Sequence, residues 1–313
     1  MSLNILHNTR ILTRLVWIAL IGVMATGLLF IGFYYFDRYV NLNNQSPLEM
    51  GTTDLEIQVR KNPDDPEPRL ALAEQYLRAQ NYSASINQAQ QVLSKFPNSD
   101  RALFILGIGN SMAGNTEAGV HYLEQFVALH KKDLDAQSDK ALQTGLYYLG
   151  MNYLQVGRPT DAITALTQAL SINPTDADAL YQLGLAFLRT GQYQAALENF
   201  QKAVRFVPDF AEAYQGMVDS YTALQQPDYV LVAQGMQAFS LKDYQKASKL
   251  LSEAIKKLPK ESLAYLGLGL TDEKLGELPA AQANLKVALT LDPDNFIATN
   301  ALERIQTTLD QGK

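Results

Sequence analysis

The chain repeats itself every 34 residues. Gly150 recurs as Gly184 and Gly235 as Gly269, while Pro174 recurs as Pro208 and Pro259 as Pro293. Between these markers Tyr153 aligns with Phe187, Gly157 with Gly191, Ala162 with Ala196 and Ala169 with Ala203. A fixed period in the range of about 20–50 residues signals a repeat architecture, and 34 residues suit one helix–turn–helix unit. No sustained alternation of period two competes with this pattern. The expected fold is all-α: a solenoid of about six helix–turn–helix repeats. A stack of this kind presents long surfaces, which directs attention to binding rather than catalysis.

The most regular unit carries Leu180, Leu183-Gly184, Phe187, Gly191, Tyr193, Ala196, Phe200, Ala203 and Pro208. Its predecessor carries Leu146, Leu149-Gly150, Tyr153, Gly157, Ala162, Leu166, Ala169 and Pro174. This set of small, large and proline positions resembles the tetratricopeptide repeat family over roughly residues 64–295. The resemblance implies an α-solenoid and a protein-binding role. The period breaks twice. Gly107 to Gly150 is nine residues too long, and Gly184 to Gly235 exceeds one period by seventeen, enough for one additional helix. The resulting plan is a tail over 1–14, a transmembrane helix over 15–36, a linker and short helix over 37–63, and repeats over 64–131. An inserted linker follows over 132–142, then repeats over 143–210, an extra helix over 211–227, repeats over 228–295 and a capping helix over 296–313. The short helix is expected to start at Thr53, where Thr53-Asp54-Leu55-Glu56 has the spacing of a capping box.

Residues 15–36 contain no charged side chain. A run of about 20 apolar residues in helix crosses the hydrocarbon core of a bilayer. Trp17 flanks one end and Tyr34, Tyr35 and Tyr39 the other, in the manner of interfacial aromatics. The run is longer than the apolar core of a cleaved leader, which spans about 7–15 residues. It is therefore expected to stay as the membrane anchor. Arg10 and Arg14 precede it with no acid among them, so the positive-inside rule puts the N-terminus in the cytoplasm. The expected location is the bacterial inner membrane, single-pass, with the repeats periplasmic. The absence of cysteine suits an oxidising compartment.

The formal charge is −6, and the first 36 residues contribute +2 of it, leaving −8 on the remainder. That balance speaks against a nucleic-acid partner. His121 and His130 have no second histidine or cysteine at ligand spacing, and every glycine cluster falls at a repeat-packing position. No catalytic residue, metal site or cofactor is expected, and the chain is read as not an enzyme.

The first helix of each repeat carries a second apolar stripe. In the most regular unit Tyr181, Leu185 and Leu188 follow i, i+4, i+7 spacing beside the packing residues Leu180, Leu183 and Phe187. In the tetratricopeptide family this stripe lines the concave groove. Carrying the positions over gives Phe104, Ile108, Tyr147, Met151, Leu154, Tyr181, Leu185, Leu188, Val232, Met236 and Phe239 as the candidate partner-binding groove. The family's carboxylate-clamp variant needs Lys and Asn there, and neither is present. The stripe suits a protein or peptide with an apolar or amphipathic segment. Equally, tight packing, the extra helix or a neighbouring subunit covers it.

Two functional classes follow. One is a membrane-anchored scaffold or assembly factor. The stretch from Leu55 through Asn62-Pro63-Asp64 resembles the repeat modules of cytochrome c maturation proteins, and envelope-complex assembly is the other expectation within this class. The second class is a permanent accessory subunit of a membrane complex.

Overall fold

The computed structural model describes residues 19–20, 22–24, 26–32, 34, 47–130 and 139–311. Every described element is a helix. They are α1 (Pro47–Lys61), α2 (Pro66–Arg78), α3 (Tyr82–Lys95), α4 (Asp100–Met112), α5 (Thr116–His130), α6 (Lys140–Gln155), α7 (Pro159–Ile172) and α8 (Ala177–Arg189). These are followed by α9 (Tyr193–Phe206), α10 (Ala211–Ala223), α11 (Pro227–Ser240), α12 (Tyr244–Lys257), α13 (Ser262–Leu275), α14 (Leu278–Leu291) and α15 (Phe296–Gln311).

The described residues between 19 and 34 are also helical, and Leu28, Leu29 and Phe30 among them are exposed. Residues 15–18, 21, 25, 33, 35 and 36 of the expected span lie outside the described residues. Among the described residues no helix is long and apolar enough to cross a membrane.

Two expectations shift. Helix α1 begins at Pro47, six residues before Thr53. Proline is preorganised for the first turn of a helix, and Leu48, Glu49 and Met50 are good helix formers, so the helix starts there. Residues 140–142, expected in the inserted linker, belong to α6. Asp139 caps that helix by accepting from the amides of Ala141 and Leu142. Residues 132–138 lie outside the described residues.

The chain forms two compact units, one ending at Ile105 and one beginning at Leu106. A repeat stack is held by neighbour contacts alone, so its division can fall inside a single helix such as α4. In the first unit α1 packs on α2 and α2 on α3. Arg101 there bonds Glu74 at 2.6 Å and Glu67 at 2.9 Å.

In the second unit each helix from α5 to α15 packs on its successor. The turns come in two kinds. The turn inside each hairpin has one residue with positive φ and a backbone bond reaching five residues back, as from Gln192 to Phe187. Glycine fills the positive-φ position at Gly114, Gly157, Gly191 and Gly276. The turn between hairpins has neither feature. It closes with a bond four residues back, as from Val207 to Ala203, and carries the proline marker.

The region around α10 departs from this alternation. The α10–α11 turn and the α11–α12 turn are both of the hairpin kind, with positive φ at Gln225 and Lys242 and five-back bonds from Gln226 to Tyr221 and from Asp243 to Ala238. Helix α11 therefore closes one hairpin with α10 and opens another with α12. Its sequence permits this because apolar residues occur nearly all round it: Val232, Ala233, Gly235, Met236 and Ala238 are buried. The layer of first helices consequently runs α6–α8–α10 and then restarts as α11–α13–α15.

The core between layers is built by glycine and a large side chain. A Cβ at Gly184 would lie 2.6 Å from the Phe200 ring, and one at Gly216 would lie 2.4 Å from the same ring. Phe200 is thus clasped by the first helix of its own hairpin and by the next. Leu251 is held in the same way between Gly235 and Gly267.

Candidate functional site

The stripe residues sit where the first helices stack. Tyr147 and Met151 project from α6 and Tyr181, Leu185 and Leu188 from α8; all five are half-buried. The tyrosines are held by rings and by the next helix along. Tyr147 stacks edge-on against Tyr148, with centroids 5.3 Å apart. Tyr181 lies 5.0 Å from the Phe210 ring and 5.9 Å from Phe200.

Burial pushes the Tyr147 phenol up to about 12, with Asp178 of the following repeat adding to the effect. The Tyr181 phenol is also raised, by burial first and then by Glu212 and Asp219 of α10. Both tyrosines are neutral donors at physiological pH, each with carboxylates of the next helix nearby. The surface therefore combines apolar bodies with hydroxyl donors and acidic edges. Gln215 of α10 extends it, accepting from Gln237 of α11 at 2.9 Å.

Four stripe positions are not accessible. Ile108 is 6 % exposed, Leu154 3 %, Val232 2 % and Met236 2 %. Each burial has a local cause. Around Ile108, Leu123 of α5 presses against Gly107, and Asn152 of α6 donates to Ser111 at 2.6 Å. Leu154 lies at the end of α6 where α8 packs across it, and Arg189 donates to its carbonyl. Val232 packs with Ala254 and Ala264. Met236 rests on Gly267, where a Cβ would be 2.4 Å from its sulfur. Phe239 is half-buried against Tyr244, 5.8 Å away. Phe104 is half-buried and belongs to the first unit.

The sequence reading passed over the carboxylates and amides of α10. Counting one period on from Tyr181 reaches Gln215, and from Leu185 reaches Asp219. The signal was available, but treating 211–227 as an extra element moved the count on to Val232 and Met236. Asn152 was also missed; it is fully buried, and its Oδ1 has no hydrogen-bond partner. Among the described residues no group of three His, Asp or Glu side chains is placed to hold a metal ion.

A family model described as "Tetratricopeptide repeat" matches residues 70–108, 147–209 and 232–302, more than half of the chain. The chain belongs to the tetratricopeptide repeat family. Its three matched blocks bracket α10, the helix that interrupts the alternation. Among tetratricopeptide relatives, the mitochondrial import receptor subunit TOM70 of Homo sapiens is 23 % identical over 226 residues, covering 71 % of this chain and 34 % of the receptor. The cellulose synthase 1 operon protein C of Komagataeibacter xylinus is 28 % identical over 156 residues, half of this chain and 11 % of that protein. The chain thus spans about a third or less of the length of these relatives. The crystal structure of MamA protein superposes with a TM-score of 0.51 at 24 % identity, covering 58 % of this chain and 94 % of that one. This likeness concerns the fold. Tetratricopeptide proteins mediate protein–protein interaction and peptide binding.

Proposed function

We propose that the chain is a membrane-anchored scaffold or assembly factor that holds a polypeptide segment against the inner layer of its repeats. The observation that carries this reading is the cluster of half-buried large side chains on two adjacent first helices, Tyr147 and Met151 with Tyr181, Leu185 and Leu188. Tyrosine and methionine favour such a role: the ring gives area at low entropy cost, and the thioether adapts to irregular partners. An apolar or amphipathic segment with a donor facing Asp178, Glu212 or Asp219 fits this surface.

The anchor in this reading is the charge-free stretch over 15–36, supported by the exposure of Leu28, Leu29 and Phe30. The N-terminus is then cytoplasmic and the repeats periplasmic, on a bacterial inner membrane. Clients are proteins of cytochrome c maturation or of envelope-complex assembly. No catalytic step is assigned.

The test is Tyr181→Ala in the full chain, extracted from its own membranes under mild detergent. Co-purifying polypeptide is expected to fall about tenfold or more, as for a binding hot spot, while the melting temperature holds. A lower melting temperature with unchanged capture per folded molecule would make the stripe a packing feature. A client recovered in fixed stoichiometry under all conditions would favour a permanent subunit. Alkaline carbonate is expected to leave the protein in the membrane, and release would remove the anchor from the account.

A further inference from the structure

The interruption at α10–α11 has a second product. Where the first-helix layer restarts, the ends of α9 and α10 face α11, α13 and the start of α15 across a cleft of ≈ 590 Å³. That size is within the range of about 300–1,000 Å³ seen for ligand pockets. Its floor is apolar: Met217, Met236, Leu266 and Leu270 are buried there, and Phe239 and Leu263 are half-buried. None of the five half-buried stripe residues on α6 and α8 lines it, whereas Met236 and Phe239 of the expected groove do.

The rim is acidic. Asp209, Glu261, Asp292 and Asp294 line the cleft with one cation, Arg205. None of the four carboxylates is in an ion pair among the described residues. Local hydrogen bonds explain two of them in place: Glu261 caps α13 by accepting from the Leu263 amide at 3.2 Å, and Asp292 accepts from the side-chain amide of Asn295 at 3.1 Å. Capping does not explain why Asp209, from the α9–α10 turn, and Asp294 converge on the same opening. Burial holds the Glu261 carboxyl above its ordinary value.

The geometry points to a second binding site, for an extended polypeptide segment that sets a large apolar side chain against Phe239 and Leu263 and a neighbouring lysine or arginine among the rim carboxylates. The charge balance decides the sign of the ligand: four carboxylates against one guanidinium disfavour an acidic segment and attract a basic one. The inference rests on the reading of the chain as a polypeptide binder and assigns this subsite its partner chemistry.

The test uses the full chain in detergent and two fluorescein-labelled peptides, Ser-Lys-Phe-Leu-Lys-Ser and Ser-Glu-Phe-Leu-Glu-Ser, followed by fluorescence anisotropy. The lysine peptide is expected to bind at least about tenfold more tightly than the glutamate peptide, with an affinity that falls as salt is raised. The double substitution Asp209→Lys/Asp294→Lys, at two exposed positions, is expected to abolish or invert that preference without changing the melting temperature. Lys249→Ala, at an exposed position of α12 outside both surfaces, is expected to leave it intact. Equal binding of the two peptides, no saturable binding of the lysine peptide, or a preference untouched by the double substitution would overturn the inference. Binding lost in Tyr181→Ala but kept in the double variant would overturn it too, while leaving the stripe as the binding surface.

Discussion

At the scale of single residues, the fold depends on where a Cβ is absent and where one is strained. Phe200 fills the space between Gly184 and Gly216 and has no exposed surface. Gly184→Leu is expected to destabilise by about 1–3 kcal/mol through overpacking, read as a lower urea midpoint with unchanged slope. A midpoint equal to the parent would mean that α8 and α9 do not meet at Gly184. Gln225 holds a positive φ of 56° at the place that Gly114, Gly157, Gly191 and Gly276 fill in four other hairpin turns. Gln225→Gly is expected to stabilise by about 0.5–1 kcal/mol, the relief of left-handed strain less the added freedom of the unfolded chain. The reverse change, Gly191→Gln, is expected to lose a similar amount; a gain there would contradict the assignment.

Asp272 is buried and accepts from Asn284 at 2.8 Å, yet burial holds its carboxyl above the ordinary value of 3.8. The folded state therefore binds more protons than the unfolded state above that pH, and stability falls as pH rises through the raised value. Asp272→Asn is expected to raise the melting temperature at pH 7 and to do so less at pH 4. A gain that is equal at both pH values, or larger at pH 4, would show that ionisation is not the cause. Six glycines were legible in the sequence because they recur in pairs at the period: Gly150 with Gly184, Gly157 with Gly191 and Gly235 with Gly269. Asp272 was not, because one carboxylate in a helix carries no sign of whether a neighbour will cover it.

At the scale of elements, α11 is the decisive helix. The sequence showed seventeen surplus residues and one surplus helix, which matches Ala211–Ala223 in position. It did not show that α11 would serve two hairpins. That follows from turn geometry at Gln225 and Lys242, two residues whose types give no hint of positive φ. The burial of Val232 and Met236 comes from the same cause, since neighbours on more than one side of α11 leave little of it for a groove. Periodicity places a stripe on a helix but does not say which helices cover it.

Deleting residues 211–227 joins Phe210 to Asp228 and restores one period between Gly184 and Gly235. The shortened chain is expected to fold, with α11 taking the place of α10 against α9, and to melt cooperatively with its helical circular dichroism scaled to length. It is also expected to lose the charge preference for the lysine peptide, because the cleft no longer has its α10 wall. A molten chain without a cooperative transition would mean that α11 cannot act as an ordinary first helix.

At the scale of the molecule, the family and the all-helical solenoid could be read from recurrence alone, because a repeat states its packing rule many times over. The proposed binding surface could be read only in part. Tyr147, Met151, Tyr181, Leu185 and Leu188 stand half-buried on α6 and α8, whereas Ile108, Leu154, Val232 and Met236 have been taken into packing. The acidic edge from Asp178, Glu212 and Asp219 also changes the expected chemistry of the surface. Partners with a hydroxyl, amide or cationic donor beside an apolar segment fit better than purely apolar ones. The central claim is that this inner layer holds a polypeptide. The most direct measurement is photo-crosslinking in intact membranes, with benzoylphenylalanine placed at Tyr181 in one variant and at the exposed Lys249 of α12 in another. The account expects a discrete crosslinked polypeptide from position 181 and none from position 249. No crosslink at 181, or the same products from both positions, would contradict it.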